Sequence, residues 1–263
     1  MNSRTPQPIN FDSVADLYDN YVRTDFDIPF WLEESKSVNG RVLELACGTG
    51  RVSVPLLKAG IDLSCVDYAP EMLARFCHKL EENHLSCRVY CQDIAELGIP
   101  DLFDLIIYPF HSFSEIADKQ RQRLALTQIH SHMAEQARFI CALQNPRVRS
   151  PSMDGIMRLI GEFPLPEGGT LVVRTRLTFD PSTQIANGEQ VYERLSSEKI
   201  LLEQRSLTIN FYLFNRMEFE LLVRECGFSI EALYGDYVRQ PFEEESSPFM
   251  IWKLKRTTPV PSI

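Results

Sequence analysis

The stretch Arg41-Val42-Leu43-Glu44-Leu45-Ala46-Cys47-Gly48-Thr49-Gly50-Arg51 restricts what this chain can fold into more than any other part of it. The apolar run from Val42 to Ala46 has the length and character of a short buried strand. It stops at two glycines one residue apart, and a helical pattern, Val52 to Ala59, begins at once. Glycine in such a turn admits backbone angles closed to other residues, and it leaves room for a ligand where a Cβ would stand. A strand that passes into a helix this way aims unpaired N–H groups and the positive helix end outward. The stretch therefore predicts a nucleotide or anion site at the carboxyl edge of a parallel sheet.

Spacing separates the nucleotide sites that share this outline. A dinucleotide fingerprint needs a third glycine three positions after the second, where this chain has Ser53, and a P-loop needs a Gly-Lys-Ser/Thr ending that is absent. Glu-Leu-Ala-Cys-Gly-Thr-Gly-Arg instead resembles the first motif of class I S-adenosylmethionine-dependent methyltransferases. By that resemblance the turn accommodates the methionine part of S-adenosyl-L-methionine, with Glu44, Ala46, Gly48, Gly50 and Arg51 in the cofactor site. The implied fold is α/β: a doubly wound, seven-stranded Rossmann-like sheet, mostly parallel with the last strand antiparallel.

Downstream stretches extend the likeness. A second strand, Ile61 to Asp67, ends in a carboxylate 19 positions after Gly48, a distance that suits hydrogen bonds to ribose hydroxyls from the neighbouring strand tip. Val66-Asp67-Tyr68-Ala69-Pro70-Glu71-Met72-Leu73 is similar to the family's second motif, which brings Tyr68 and Met72 into the cofactor site beside Asp67. A third strand, Arg88 to Gln92, ends in Asp93-Ile94, a pair that by resemblance meets the adenine amine and ring. The fourth, Phe103 to Tyr108, is apolar throughout and runs into Pro109-Phe110-His111-Ser112-Phe113-Ser114. Pro109 is assigned to the cofactor site and His111 to the acceptor site, as the candidate base for a hydroxyl or protonated amine. A lone loop histidine equally serves packing.

Ahead of the glycine turn, Val14, Leu17, Tyr18, Tyr21 and Val22 recur at helical spacing. This segment and Asp27 to Leu32 resemble the cap of small-molecule methyltransferases. Tyr18 is assigned to the cofactor and Tyr21 and Trp31 to the substrate, in a lid that excludes water. The same tyrosines read alternatively as the packing face of a helix.

Beyond a fifth strand (Ala137 to Leu143), the character changes at Asn145-Pro146. Ile156 to Ile160 suggest a short helix or lid. The alternating stretches Thr170 to Phe179, Gln190 to Leu195 and Ile200 to Leu213 read as hairpins, with turns at Pro181-Ser182-Thr183 and Ala186-Asn187-Gly188. We therefore expect a methyltransferase domain over 1–150 and 214–263, and an inserted antiparallel β layer over 151–213 that forms a lid or builds a homodimer. A helix opening near Asn215 and ending at Gly227, then a final strand pair, complete the chain.

Composition narrows the partners. A formal charge of -9 in 263 residues gives no basic field for a polyphosphate backbone, so a small-molecule acceptor is expected and nucleic acid is not. Seven cysteines without a Cys-x-x-Cys pair, and histidines without ligand spacing, predict reduced thiols and no metal. A polar start and no long apolar stretch predict a cytoplasmic protein away from the membrane, with residues 1–10 a loose tail. Two rival readings share the turn: a protein that binds S-adenosylmethionine without methyl transfer, and a nicotinamide-dependent oxidoreductase, which Asp67 alone would permit.

Overall fold

The computed structural model describes residues 8–257. In chain order, α1 (Ala15–Tyr21) and α2 (Ile28–Lys36) precede β1 (Val42–Leu45), α3 (Ser53–Lys58), β2 (Leu63–Asp67), α4 (Pro70–Glu82) and β3 (Arg88–Cys91). Then come β4 (Phe103–Tyr108), α5 (Lys119–Ser131), β5 (Met133–Gln144), α6 (Pro146–Arg149), β6 (Arg158–Pro164), β7 (Thr170–Asp180), β8 (Ile185–Leu195) and β9 (Leu201–Tyr212). The chain closes with α7 (Arg216–Glu225), β10 (Phe228–Tyr234) and β11 (Phe249–Arg256).

Seven strands form one sheet in the order β10-β11-β5-β4-β1-β2-β3. The β1–β5 pairings are parallel, and β11 runs antiparallel to both β5 and β10. The reversal of strand order beside β1 puts a crevice at the carboxyl ends of β1 and β4, where ligands bind in open α/β sheets. Alternation along the central strands feeds two cores. Leu43, Leu45, Ile106 and Phe139 pack on one face, and Val42, Leu105, Ile107 and Ile140 on the other. Helix ends are fixed locally: Pro70 opens α4, Asp118 accepts from the Arg121 amide at 2.8 Å and Asn215 from the Glu218 amide at 2.9 Å.

The second sheet is antiparallel, β6-β7-β8-β9. Its apolar face (Leu171, Val173, Leu177, Leu207, Ile209) is covered by Ile9, Val14 and Leu17 from the N-terminal segment. That burial supplies what an isolated hairpin layer lacks.

Several expectations are corrected here. Ile156 to Ile160 form no helix: most of the stretch lies in β6, paired with β7. Ala186-Asn187-Gly188 is no turn but lies inside β8, bonded on both sides. A Cβ at Gly188 would stand 1.8 Å from the Arg176 carbonyl oxygen, so this glycine answers a close backbone approach within the sheet. The fifth strand starts four residues earlier than expected, at Met133, across a register shift between Phe103 and Leu105. Of the expected loose tail, residues 1–7 lie outside the described residues, whereas Ile9 is buried.

Candidate active site

The turn after β1 is contorted in the way its sequence predicts. Ala46, Gly48 and Gly50 all have positive φ (52°, 55° and 84°). For alanine that costs roughly 1–2 kcal/mol, a strain held in place by the surrounding bonds. The Cys47 amide donates to the Val66 carbonyl at 3.0 Å and the Gly50 amide to Cys47 at 2.9 Å. The Gly48 amide donates to Asp67 Oδ2 at 2.8 Å, while Asp67 Oδ1 accepts from the Ala69 amide at 2.9 Å. Burial raises the Asp67 carboxyl, and these backbone donors pull it back. Asp67 thus stitches β2 to the glycine turn. Each oxygen retains further acceptor capacity.

Two cavities open over this edge. The first, about 390 Å³, is lined by Ala46, Tyr68, Asp93, Ile94, Tyr108, Ser112 and Glu115, with Ile9 over it. Tyr68 donates its hydroxyl to the Ile9 carbonyl at 2.5 Å, which ties that N-terminal segment down. Asp93 accepts from the Ala95 amide at 2.8 Å and pairs with Arg121 through its other oxygen. The second, about 550 Å³, lies between the two sheets and α1. Its walls include Tyr18, Tyr21, Phe110, His111, Glu115 and Arg149. Glu115 faces both cavities.

Glu115 is the functional candidate that sequence reasoning missed. Among the described residues no cation pairs with it and no hydrogen bond satisfies it. Burial, assisted by the Asp67 charge, pushes its carboxyl up to about 8. Burial raises the hydroxyls of Tyr18, Tyr21, Tyr68 and Tyr108, and the field of Glu115 adds to it. The only sequence signal was an acid in the loop after β4, at the sheet edge where sites form.

His111 reaches the acceptor cavity but is poorly suited as a base. Phe110 and His111 have consecutive positive φ (57° and 65°), which turns both rings toward the cavity. The imidazole stacks on Phe249 at 5.1 Å, and its Nδ1 is shielded from solvent without a partner. Burial, with Arg149 and Arg51 adding to it, lowers its pKa to about 4. It is neutral near pH 7 and only weakly basic, which fits positioning better than proton abstraction.

Tyr18, assigned to the cofactor, instead meets Tyr21 and His111 in the second cavity; Ala46, Tyr68, Asp93 and Ile94 meet in the first, and Gly48 and Asp67 stand beside it without lining either. The remaining assignments change. Glu44 lies on the β1 face turned away from the cavities, with Val42, and accepts from Ser53 Oγ at 2.6 Å. Burial pushes its carboxyl up to about 8, and it supports the turn from beneath. Gly50 makes room for the Phe76 ring, 2.2 Å from where a Cβ would stand. Met72 is buried under Gly48, and Pro109 is buried without lining either cavity. Arg51 forks onto buried Asp27 at 2.6 and 2.8 Å, donates to the Thr24 carbonyl at 3.0 Å and covers the Phe110 ring. Trp31 is wholly buried and donates its indole N–H to Asp27 at 3.1 Å; it is core, not substrate wall. Lys79 completes the attachment of α1, bonding Asp19 at 2.7 Å and the Thr49 carbonyl at 2.8 Å. Arg174, Arg176 and Arg194 pair with Glu193, Glu189 and Glu203 on the second sheet. Among the described residues no His/Cys/Asp/Glu group could hold a metal ion.

The first cavity suits the ligand its motifs imply. A flat apolar wall (Tyr68, Ile94) ends at the Asp93 carboxylate, and the Glu115 carboxyl, without a charged partner among the described residues, lines the same cavity. Comparisons agree. Residues 42–136 match the family model described as methyltransferase domain. The chain is 24% identical over 222 residues, 79% of its length and 81% of the relative's, to the putative methyltransferase YqeM of Bacillus subtilis. A shorter match, 35% over 105 residues, covers 37% of this chain and 30% of ribosomal RNA small subunit methyltransferase C from Shewanella loihica. Among solved structures, an S-adenosylmethionine-dependent methyltransferase from Clostridium acetobutylicum superposes with a TM-score of 0.78 at 20% identity, covering 94% of this chain and 99% of that one. The S-adenosylmethionine-bound amino pentose methyltransferase CalS10 of Micromonospora echinaspora gives 0.70 at 17%, covering 96% and 100%.

The fold is that of class I methyltransferases, and residues 42–136 match the methyltransferase-domain model. These likenesses support an S-adenosylmethionine-dependent methyltransferase with S-adenosyl-L-methionine as its cofactor.

Proposed function

We propose that the enzyme methylates an oxygen or nitrogen of a small-molecule acceptor held in the second cavity. The observation that carries this reading is the shared wall: Glu115 borders both the cavity under the glycine turn and the one enclosed by α1 and the second sheet. Bound at the turn, S-adenosyl-L-methionine supplies an electrophilic methyl on a sulfonium. The protein's residues do the rest by position and charge. Ala46 and Gly48 leave the backbone open to the methionine end, and Asp67 faces the ribose. Tyr68 and Ile94 flank the adenine, and Asp93 accepts from its amine when the half-buried Arg121 gives way. Tyr18, Tyr21 and His111 orient the acceptor and exclude water.

A half-open cavity of about 550 Å³ and a formal charge of -9 favour a small acceptor over RNA, and the amino pentose named for CalS10 points the same way. Among the described residues no helix is long and apolar enough to cross a membrane, which is compatible with the proposed cytoplasmic location. The proposed division is 1–150 with 214–263 around the donor, and 151–213 as the inserted layer. We further propose that this layer pairs two copies: β9 is an edge strand, and Ile200, Leu201 and Leu202 are exposed at its start.

Calorimetric titration of S-adenosylmethionine beside NADH, followed by an acceptor screen read as S-adenosylhomocysteine release, tests the reading. Binding of the first ligand alone, at roughly micromolar affinity, with methyl transfer to a small molecule, is the expected result. Transfer to RNA alone would overturn the acceptor assignment.

A further inference from the structure

The second cavity carries an acid and a base that the protein itself leaves without a charged partner. Four of its lining side chains are charged: Arg23, Glu115, Arg149 and Arg158. Arg158 is forked onto Asp154 at 2.6 and 2.7 Å, and Arg23 is exposed at the edge. Arg149 is half-buried, and its donors reach only neutral groups, Gln144 Oε1 at 3.2 Å and Ser152 Oγ at 3.0 Å. Among the described residues no carboxylate lies within ion-pair distance of Arg149, and no cation within that distance of Glu115. The two do not pair with each other. Charge without a partner is costly in a partly buried site: Arg149 bears that cost, Glu115 avoids it by holding its proton, and a ligand that is cationic at one end and anionic at the other answers both.

Resting on the small-molecule reading above, we propose that the acceptor is a primary or secondary amine that also carries a carboxylate or phosphate, with Glu115 on the amine and Arg149 on the anion. The walls fit each part. Tyr18, Tyr21 and Phe110 add ring faces around an ammonium, which is drawn to them as well as to the carboxylate. Arg149 presents planar donors matched to a two-oxygen anion. Its charge also disfavours a protonated His111, so the cation in that part of the cavity is arginine alone. An ammonium has no lone pair to give until it sheds a proton. Here its N–H bond breaks as an O–H bond forms on Glu115, and the freed pair stays on nitrogen. Glu115, raised to about 8 by burial and by Asp67, has the basicity for that exchange. The charge that acts on it is Asp67 from β2, and its own field reaches the neutral hydroxyls of Tyr68 after β2, Tyr108 from β4, and Tyr18 and Tyr21 from α1.

The test uses full-length protein saturated with S-adenosylhomocysteine and two matched trios of probes. One is phenylalanine, phenethylamine and 3-phenylpropionate; the other is glucosamine 6-phosphate, glucosamine and glucose 6-phosphate. Calorimetry should show the doubly charged member of at least one trio binding about 10–100-fold more tightly than either truncated member, the range a lost charged hydrogen bond allows. Arg149→Met should abolish its advantage over the amine, and Glu115→Gln its advantage over the anion. The preferred trio tells carboxylate from phosphate. Proton release on binding should be largest below about pH 8 and fall as pH rises through about 8, in a Glu115-dependent way. Retained S-adenosylhomocysteine binding by both variants shows that they fold. The proposal falls if singly charged members bind as well, if the advantage survives the substitutions, or if no probe binds. Failure of S-adenosylhomocysteine itself to bind would instead sink the donor-site reading.

Discussion

Arg51 and Asp27 give the sharpest quantitative prediction, because the structure moves Arg51 from the cofactor to the frame. Asp27 is 1% exposed and is held by both guanidinium nitrogens and the Trp31 indole. Arg51→Met keeps most of the stem that packs near Phe110 but leaves Asp27 buried with one neutral donor. Removing one partner of a buried pair costs about 3–5 kcal/mol, or roughly 6–20 °C in Tm for a chain of this size. Urea unfolding at pH 7 measures it. The double variant Asp27→Asn with Arg51→Met removes the stranded charge and should recover more than half of the loss. Both variants, below their unfolding transitions, should bind S-adenosylmethionine within a few-fold of the parent. A loss under about 1 kcal/mol, well below the range for a broken buried pair, or a double variant no better than the single one, would refute the buried-pair reasoning. A large selective loss of cofactor affinity would return Arg51 to the donor site.

Other consequences follow from the same geometry. Glu44 and Glu115 are both raised to about 8, so the folded state holds protons that the unfolded chain has released. Stability present below about pH 4.3 should fall as pH rises through about 8, by up to about 1.4 kcal/mol per pH unit per group. Urea unfolding of Glu44→Gln at pH 5 and 8 should show a smaller fall. Gly50→Ala drives a Cβ into the Phe76 ring at positive φ. It should destabilise by about 2–4 kcal/mol, and a neutral result in the same assay would mean that Phe76 yields freely. Sedimentation should find a dimer that Leu202→Lys, on the exposed start of β9, converts to monomer; a monomeric parent would dispose of the proposed pairing.

What the sequence disclosed was local. The Val42–Gly50 run, Asp67 at a strand tip and Pro70 opening a helix are short-range patterns, and each stands where its pattern puts it. Glu44 was misassigned because a motif names a residue without its face; strand alternation turns it toward Ser53. The ion pair of Arg51 was not legible because its partner lies 24 residues away, and no local rule joins a guanidinium to a carboxylate in another element. The Ile156–Ile160 apolar stretch fits a helix or a strand, and only pairing with β7 decides. Glu115 was invisible for a related reason: its chemistry lies in the cations that are missing around it.

The N-terminal segment has one more consequence, for the timing of turnover. Ile9 roofs the first cavity, and nine to twelve residues later Tyr18 and Tyr21 wall the second, with Tyr68, Lys79 and Arg51 fastening the stretch to the glycine-turn side. Any displacement large enough to unroof one cavity loosens a wall of the other. On the proposed assignment of donor and acceptor to the two cavities, departure of the spent donor and of the methylated product share one latch. Strengthening its fastenings should slow release while leaving the chemical step unchanged.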